Sequence, residues 1–241
     1  MRGHYEQSES KTILNWKALA CPKTHIGRTM VPIITSVNYS DYLAITLPRT
    51  LQFFEQVVVL TDLHDKETER VAEENGVCMI STDMFYSNGS PFNKGAALDV
   101  ALQFVRDDWL IVMDADIYLP AMDELPPFTL NKRCLYSPHR HMLESGPIPP
   151  EGDWASLPYG PEVRNGEFAG YYQQFHRSAL KDGPPWYEHP MWRTAQGCDT
   201  EFWKQWGPRY ARRLPFDVLH LGPTRINWSG RISPTWSNTD G

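Results

Sequence analysis

Short apolar runs alternate with amphipathic segments along the first half of the chain. The runs are rich in Val, Ile and Leu, which predicts buried strands over residues 31–37, 57–61, 77–81 and 109–113. Apolar side chains at helical spacing predict helices over residues 41–54, 65–74 and 92–105. Because strand and helix alternate, we expect an α/β fold with a mostly parallel sheet and flanking helices.

The second half of the chain is less regular. Most of the 20 prolines and 9 tryptophans follow Leu119, and residues 120–166 combine Pro, Gly and Asp in a way that predicts loops. Beyond them the pattern predicts a strand, a short helix and a last strand over residues 167–175, 200–206 and 217–221. Residues 1–29 show no periodicity and are expected to be an extension.

Polar residues follow each of the four predicted strands of the first half, where sheets of this class bind ligands. They are Asn38, Asp62, Asp83 and the pair Asp114 and Asp116. The sequence contains no GxGxxG and no GxxxxGK[ST], which argues against a dinucleotide-binding loop and a Walker loop.

Asp114 and Asp116 flank a small residue directly after the fourth strand. Alternation places both side chains on the same side of the chain, where the two charges repel unless a cation lies between them. Oxygen-rich carboxylate sites favour Mg²⁺ or Mn²⁺, which typically bridge diphosphate oxygens. The alternative is a solvated loop that happens to carry two acids.

The residues around this pair resemble the GT-A fold glycosyltransferases, in a family-2-like form. The resemblance rests on Phe92-Asn93-Lys94-Gly95, on the strand Asp108-Trp109-Leu110-Ile111-Val112-Met113 that leads into Asp114-Ala115-Asp116, and on Ile34-Thr35-Ser36-Val37-Asn38-Tyr39. It implies one GT-A domain over residues 1–241, with a Rossmann-like, mostly parallel sheet. Residues 31–120 would be the half that binds the nucleotide sugar, and residues 121–241 an irregular half that binds the acceptor and completes catalysis.

The resemblance also implies roles for single residues. Asp116 and Asp114 would hold the metal ion, Mn²⁺ or Mg²⁺, although Asp114 is also a candidate for the ribose or sugar of the donor. Lys94 would contact a phosphate or ribose. The base and ribose of a nucleoside-diphosphate sugar would lie against Thr35, Val37 and Asp62; for Asp62 the alternative is an N-cap of the following helix.

Two later segments resemble further motifs of the same family. Asp199, before a short helix, matches the acid that serves as general base in inverting members, although Cys198 stands where many members carry Glu. His220, within an apolar strand, matches a late metal ligand, and Arg231 would close over the diphosphate as its charge partner. The alternatives are a helix cap for Asp199, a core histidine for His220 and an ordinary surface loop around Arg231.

Polar and aromatic side chains of the second half are candidates for binding sugars. Residues 166–177 resemble the strand that lies between the donor and acceptor sites in the same family, which implies that Glu167 and Gln173 contact sugar hydroxyls. One or two aromatic residues would stack on a sugar or base, among Trp186, Tyr187, Trp192, Trp203 and Trp206.

Composition narrows the class further. The formal net charge is −6 and no block of basic residues occurs, which argues against binding DNA through a broad basic surface. The four cysteines are far apart and give no zinc or disulfide pattern, so we expect thiols and a cytoplasmic location. No stretch is apolar for long enough to predict a membrane span.

We therefore expect a metal-dependent glycosyltransferase that uses a nucleoside-diphosphate sugar, with a UDP-sugar favoured, and inverts through Asp199. A retaining mechanism returns if Asp199 is only a cap. A nucleotidyltransferase is a second candidate, although it usually needs a basic, Gly-rich loop after the first strand. A third candidate is a non-catalytic module that binds nucleotides or carbohydrates. The acceptor stays open between a saccharide, a protein and a modified base of viral DNA, and the net acidity favours a saccharide.

Overall fold

The computed structural model describes residues 14–17, 30–122, 125, 128–161, 170–188, 193–223 and 226–236. Within them the chain forms a nine-stranded sheet with flanking helices. The strands are β1 (Leu14–Lys17), β2 (Met30–Thr35), β3 (Val58–Asp62), β4 (Cys78–Thr82), β5 (Trp109–Asp114), β6 (Ile117–Tyr118), β7 (Leu135–Leu143), β8 (Tyr172–His176) and β9 (Ala211–Leu221). The α-helices are α1 (Ser40–Thr50), α2 (Lys66–Glu74), α3 (Lys94–Phe104), α4 (Cys198–Lys204) and α5 (Gly207–Tyr210).

The centre of the sheet is a block of four parallel strands in the order β4-β3-β2-β5. β1 joins β4 antiparallel at one edge, and β8, β7, β9 and β6 follow β5 on the other side. The chain moves outward from β2 through β3 to β4 and then returns to place β5 beside β2. This reversal opens a crevice at the carboxyl ends of β2 and β5, where sheets of this type bind ligands.

The predicted α/β class, with a mostly parallel central sheet and flanking helices, is confirmed. Both faces of the sheet are covered, because successive side chains of one strand enter opposite layers. Ile33 packs in the layer that contains α3, whereas Ile34 packs in the layer that contains α1 and α2. Strands from both predicted halves join in this one sheet, while the division of the chain at residue 120 stays a prediction.

Two strands lie where the sequence predicted none. β1 falls within the expected extension, and its four residues are too few to show a period; its order comes from pairing with the edge of β4. β7 falls within the expected loops, because Pro138 and the polar residues around it conceal its alternation. The register between β7 and β9 shifts between Ser137 and His139, which accommodates the proline that cannot donate to a ladder.

The helices begin and end close to the predicted residues. α1 contains Pro48 and ends at Thr50, four residues before the predicted end of this helix. Asp65 caps α2 by accepting a hydrogen bond from the Thr68 amide at 3.1 Å, whereas Asp62 accepts from the His64 amide in the preceding turn. The proposed alternative role of Asp62 as a helix cap is therefore wrong, because Asp65 occupies that position.

The cysteines differ from the expectation. Cys78 is disulfide-bonded, while Cys134 and Cys198 are buried free thiols. The expectation of four thiols is wrong because pairing depends on proximity in the fold, which spacing along the sequence does not reveal. A cytoplasmic location stays a prediction, and it no longer has the support of scattered thiols.

Across the described segments, no helix is both long and apolar enough to cross a membrane.

The carboxyl end of β9 depends on a glycine. Gly222 has a φ of +83°, and a Cβ built on it would lie 2.2 Å from the hydroxyl oxygen of Tyr42 in α1. Gly146 has a φ of +95° but no atom within 4 Å of such a Cβ. Substitutions at Gly222 and Gly146 therefore share the cost of backbone strain, and only the substitution at Gly222 adds a steric clash.

We predict that Gly222→Ala lowers the free energy of unfolding by more than Gly146→Ala does. The left-handed backbone costs about 1–2 kcal/mol in both variants, and overpacking against Tyr42 adds about 1–3 kcal/mol at position 222 alone. Urea denaturation followed by circular dichroism measures both. Equal losses would show that Tyr42 moves aside without cost.

Candidate active site

A cavity of about 280 Å³ opens at the carboxyl ends of β2 and β5. The ends of β2, β5 and β9, the start of α3 and the segment before α4 all contribute to its wall. The predicted site residues that line it are Thr35, Val37, Lys94, Asp114, Asp116, Asp199, His220 and Arg231. Asp62 is not one of the described residues that line the cavity.

Asp116 and His220 meet at the floor of this cavity. β6 pairs antiparallel with β9, which places Ile117 opposite His220, and the Leu221 amide donates to the carbonyl oxygen of Asp116 at 2.9 Å. As a result, Oδ2 of Asp116 lies 3.6 Å from Nε2 of His220, with both side chains buried. The sequence predicted both as metal ligands without showing that β6 brings them together.

The remaining polar atoms of the pair are consistent with a metal ion. Oδ1 of Asp116 and Nδ1 of His220 are buried and make no hydrogen bond within the described part of the chain. Buried polar atoms normally have partners, so two orphaned atoms in one pair indicate that a partner is still to be bound. Imidazole and carboxylate together suit Mn²⁺.

Electrostatics at this pair follow from burial. Burial and the neighbouring Asp114 charge raise the pKa of Asp116, whereas burial and the Arg140 guanidinium lower the pKa of His220. The two shifts together favour a neutral imidazole, which is the form that binds a metal. The described residues contain no cluster of three or more His, Cys, Asp or Glu side chains able to hold a metal ion. The pair would therefore supply part of a coordination shell that Mg²⁺ or Mn²⁺ normally completes with water and substrate phosphates.

Lys94 and Asp114 form a partly buried ion pair in the wall of the same cavity. Asn93 caps α3 by accepting from the Ala96 amide at 3.1 Å, and Lys94 follows as the first helical residue. Its Nζ contacts Oδ1 of Asp114 at the end of β5. Burial alone would lower the pKa of Lys94, but the Asp114 carboxylate outweighs it and the pKa is raised. Lys94 thus stays charged inside the cavity.

Asp199 lies in the first turn of α4 with its carboxylate held from two sides. Oδ2 accepts a hydrogen bond from the Gly170 amide, and Oδ1 accepts from the Thr200 amide at 2.9 Å. The helix N-cap position is occupied by Gly197, so the alternative of a capping role for Asp199 is wrong. Burial raises the pKa of Asp199, which makes its carboxylate a stronger base.

Cys198, where the family's Glu is expected, does not replace that acid. Its side chain is buried, and its thiol lies 3.4 Å from the carbonyl oxygen of Ala195. Burial and the Asp199 charge raise the pKa of the Cys198 thiol to about 12, so it is uncharged at neutral pH. Asp199 is therefore the acid that this turn presents to the cavity.

A buried network fixes the backbone of Asp199. Nε2 of Gln173 donates to the Asp199 carbonyl oxygen at 3.2 Å, and Oε1 of Gln173 accepts from the Tyr187 hydroxyl at 2.7 Å. The ring of Tyr187 stacks on Phe202 of α4 with 3.7 Å between centroids. Asp99 of α3 in turn accepts the amides of residues 186–188 at 2.8–2.9 Å. Gln173 is fully buried, so it positions the site from behind and does not face a sugar.

Two glycines allow the surrounding chain to approach this network. A Cβ on Gly170 would lie 2.6 Å from the Cβ of Asp199, and a Cβ on Gly95 would lie 2.7 Å from the Tyr187 carbonyl oxygen. Gly95 belongs to the Asn-Lys-Gly segment that carried the family resemblance. In this fold it permits the start of α3 to pack directly on the segment that holds Asp199 in place.

Arg140 is a lining residue that the sequence analysis missed. It lies on β7, is 9% exposed and places its guanidinium 4.3 Å from the centre of the Tyr171 ring. Its charge acts on both Asp116 and His220. The signal was hidden because β7 was predicted as loop, where an arginine is unremarkable.

Arg231 lines the cavity but is already fully engaged. Its five N–H groups donate to both carboxylate oxygens of Asp41 and to the carbonyl oxygens of Asn38, Ser233 and Pro234. Its guanidinium also lies 4.8 Å from the ring centres of two tyrosines. A direct bond to a diphosphate, as the sequence predicted, would require one of these donors to be released.

Most of the aromatic residues that were candidates for stacking belong to the core. Trp186, Tyr187 and Trp206 are buried against α3 and α4, and Trp203 packs beside them. Glu167 and Trp192 lie outside the described residues. The aromatic residues that line the cavity are Tyr39, Phe92, Tyr171 and Trp228.

No protein-family model matches the sequence, and no curated protein does. Several solved structures resemble the fold. Glucosyl-3-phosphoglycerate synthase from Mycobacterium tuberculosis, crystallised with Mn²⁺, UDP and glucosyl-3-phosphoglycerate, is 16% identical; the match covers 80% of this chain and 72% of that one, with a TM-score of 0.47. The inositol-1-phosphate CTP transferase from T. maritima is 10% identical, with 83% and 91% covered and a TM-score of 0.48. The bifunctional glycosyltransferase WbbM is 13% identical, with 80% and 40% covered and a TM-score of 0.42. With TM-scores below 0.5, these likenesses leave the function to be inferred from the site itself.

The network behind Asp199 predicts a coupling between Gln173 and Tyr187. Tyr187→Phe removes one hydrogen bond and is expected to lower the free energy of unfolding by about 1 kcal/mol. Gln173→Leu leaves the Tyr187 hydroxyl unpaired and removes the side-chain donor to the Asp199 carbonyl, and it is expected to cost about 2–3 kcal/mol. In the double variant the hydroxyl is absent, so the combined loss should fall short of the sum by about 1 kcal/mol. Urea denaturation of the four proteins measures this coupling, and additive losses would contradict the network.

Proposed function

We propose that this chain is a metal-dependent glycosyltransferase of the GT-A type, which transfers a sugar from a nucleoside-diphosphate sugar to an acceptor hydroxyl. The observation that carries the proposal is the buried Asp116–His220 pair, which has two polar atoms without hydrogen-bond partners among the described residues and belongs to a cavity that also holds a buried lysine and a second, separately anchored acid. Metal ligands, a fixed cation and a base in one cavity are the groups that a displacement at a diphosphate-linked carbon requires.

Asp116 and His220 are the residues that would hold the ion, Mn²⁺ or Mg²⁺. Bound there, the metal would neutralise charge that develops on the departing diphosphate. Lys94 lies in the same cavity, and its ion pair with Asp114 keeps its charge and its position. A phosphate oxygen of the donor would then replace the Asp114 carboxylate as the partner of Lys94. Lys94 would keep its positive charge in both states.

Thr35 and Val37 are suited to the base and ribose. Both are nearly buried, lie at the carboxyl end of β2 and line the cavity, and Oγ1 of Thr35 has no partner within the described residues. Asp62 was expected to share this role, but it lies outside the cavity wall. A UDP-sugar remains the favoured donor.

Asp199 is the group we assign as general base. The acceptor hydroxyl oxygen forms a bond to the anomeric carbon while the bond from that carbon to the diphosphate oxygen breaks. The electron pair leaves with the diphosphate, and the hydroxyl proton passes to the Asp199 carboxylate. Two amide donors hold this carboxylate in a fixed orientation, which supports a single, inverting displacement.

Two other functions fit the site less well. A nucleotidyltransferase usually needs a basic, Gly-rich loop after the first strand, whereas the connection from β2 to α1 reads Ser36-Val37-Asn38-Tyr39. A non-catalytic binding module would not need Asp199, a separately anchored acid with a raised pKa in the same cavity as Asp116 and His220.

The metal assignment is tested by Asp116→Asn, which keeps the shape of the side chain and removes its charge. We expect it to weaken Mn²⁺-dependent binding of UDP by about 100-fold or more while the protein stays folded. Calorimetry with UDP, electron paramagnetic resonance of bound Mn²⁺ and circular dichroism are the measurements. The control is Asp108→Asn at the opposite end of β5, where the carboxylate is 64% exposed. Unchanged Mn²⁺ binding in Asp116→Asn would refute the assignment.

The assignment of Asp199 is tested by Asp199→Asn, with Glu201→Gln on the same helix as the control. Glu201 pairs with Lys204 and does not line the cavity. With UDP-, GDP- and CDP-sugars and Mn²⁺, we expect Asp199→Asn to lower the rate of transfer by about 10²–10⁴-fold and to leave donor affinity unchanged. Glu201→Gln should behave as the parent protein. Equal turnover in both variants would remove Asp199 from catalysis, and absence of turnover with every donor in the parent protein would favour a binding module.

A further inference from the structure

The last described segment, residues 226–236, forms a strap that closes one side of the cavity. From this strap, Asn227, Trp228 and Arg231 line the cavity. The Trp228 side chain is 39% exposed, which is unusual for so large an apolar residue at the wall of a cavity. Part of Trp228 is therefore left uncovered by the described residues.

The other tryptophans with described side chains are used by the fold itself. Trp206 packs against Phe175 and Phe202, Trp154 against Tyr118, and the buried Trp186 donates from Nε1 to a carbonyl oxygen. Within the described residues, the ring of Trp228 takes part in no aromatic pair and no cation–π contact. Its ring is thus available to a ligand that enters the cavity.

The backbone of the strap is held firmly around Trp228. Oδ1 of Asn227 accepts the amides of Ile232 and Ser233 at 2.8 and 3.0 Å, which closes the turn. Arg231 ties the same turn to Asp41 of α1 through both carboxylate oxygens. A side chain presented by a braced turn loses little further freedom on binding, which is the property of a good stacking residue.

The strap also places Trp228 on the side of the cavity where the proposed base lies. The Ala195 amide donates to the Trp228 carbonyl oxygen at 2.8 Å. From Ala195 the chain continues along the cavity wall through Gln196 and Gly197 to Asp199 and Thr200, all of which line it. Arg231 of the same strap donates to the Asn38 carbonyl oxygen just beyond β2, so the strap extends from the donor end of the cavity to the segment that leads to Asp199, and Trp228 is bonded at the Asp199 end.

We propose that Trp228 is the stacking platform for the acceptor, and that the acceptor is a saccharide whose ring lies against the indole. This inference rests on the proposed function. A sugar ring has an apolar C–H face that an aromatic ring can cover and hydroxyls at its edge that need polar partners. The exposed Gln196 and the partly buried Thr200 line the same cavity and would bind those hydroxyls, with one hydroxyl of the stacked ring directed to Asp199.

The charges of the site favour a saccharide over a nucleic acid base. A base in duplex DNA must be flipped out, and its flanking phosphates need cations. Of the described lining cations, Lys94 and Arg231 are each bound to a carboxylate and Arg140 lies over the Tyr171 ring, and the chain carries a net charge of −6. A Ser or Thr side chain of a protein acceptor would offer a hydroxyl without a ring to cover the indole.

The test compares Trp228→Ala and Trp228→Phe with Ile232→Ala. Ile232 lies on the same strap, is 75% exposed and does not line the cavity, so its variant controls for changes in the strap. We expect Trp228→Ala to raise the KM for a saccharide acceptor by about tenfold or more, Trp228→Phe to recover most of that loss, and Ile232→Ala to leave it unchanged. Hydrolysis of the donor without acceptor should be the same in Ile232→Ala as in the parent protein. A panel of mono- and disaccharides, a Ser/Thr peptide and a nucleoside serves as acceptors, and the indole N–H resonance of Trp228 reports binding directly.

The outcomes separate this inference from the proposed function. If the parent protein hydrolyses a donor and Trp228→Ala still uses saccharides with an unchanged KM, the platform is refuted and the glycosyltransferase stands. Weaker donor binding in Trp228→Ala would assign the indole to the nucleotide and also refute the platform. Transfer to the peptide or nucleoside alone would refute the saccharide. If no donor is bound or turned over by the parent protein, the proposed function fails and the inference falls with it.

Discussion

Three carboxylates share one cavity, and their mutual repulsion is the constraint on which the arrangement of the site depends. The three carboxylates come from two distant parts of the chain, and each has a different partner. They belong to Asp114, Asp116 and Asp199. Asp114 is neutralised by a buried lysine, Asp199 is held by two backbone amides, and Asp116 is left beside a histidine with an orphaned oxygen. Only the last of these arrangements is incomplete without an added cation, which is why the metal belongs with Asp116.

The parallel core of the fold was predictable because its strands are buried on both faces and appear as continuous apolar runs. Strands β2, β3, β4 and β5 therefore appear in the sequence within two residues of their ends. The strands beyond β5 were harder to predict. β7 carries a proline and several polar residues, and β1 is held only by its neighbour, so both depend on pairing that no local pattern encodes. The disulfide of Cys78 is another long-range fact of this kind.

The candidate site was predicted in part for the same reason. Residues at the ends of parallel strands, such as Thr35 and Asp114, are fixed by the topology of the sheet, and the structure brings them together. The hydrogen-bond partners and the burial of a side chain are not fixed by the topology of the sheet. Arg231 was predicted to be a cation for the diphosphate, but its five donors bind the strap, Asn38 and Asp41 of α1. Gln173 was predicted to be a sugar ligand, but it is buried behind Asp199. Arg140 was not predicted as a site residue because its strand, β7, was predicted to be a loop.

Gly170 and Asp199 are 29 residues apart, yet they occupy space that only one side chain can fill. An amide with no side chain of its own is what allows the carboxylate of Asp199 to approach β8 closely enough to be held. The two positions therefore form a single sequence signature, a glycine just before a strand and an acid in the first turn of a later helix. In a chain whose overall similarity to other proteins is faint, such a sterically enforced pair is a better guide to distant relatives than either residue alone.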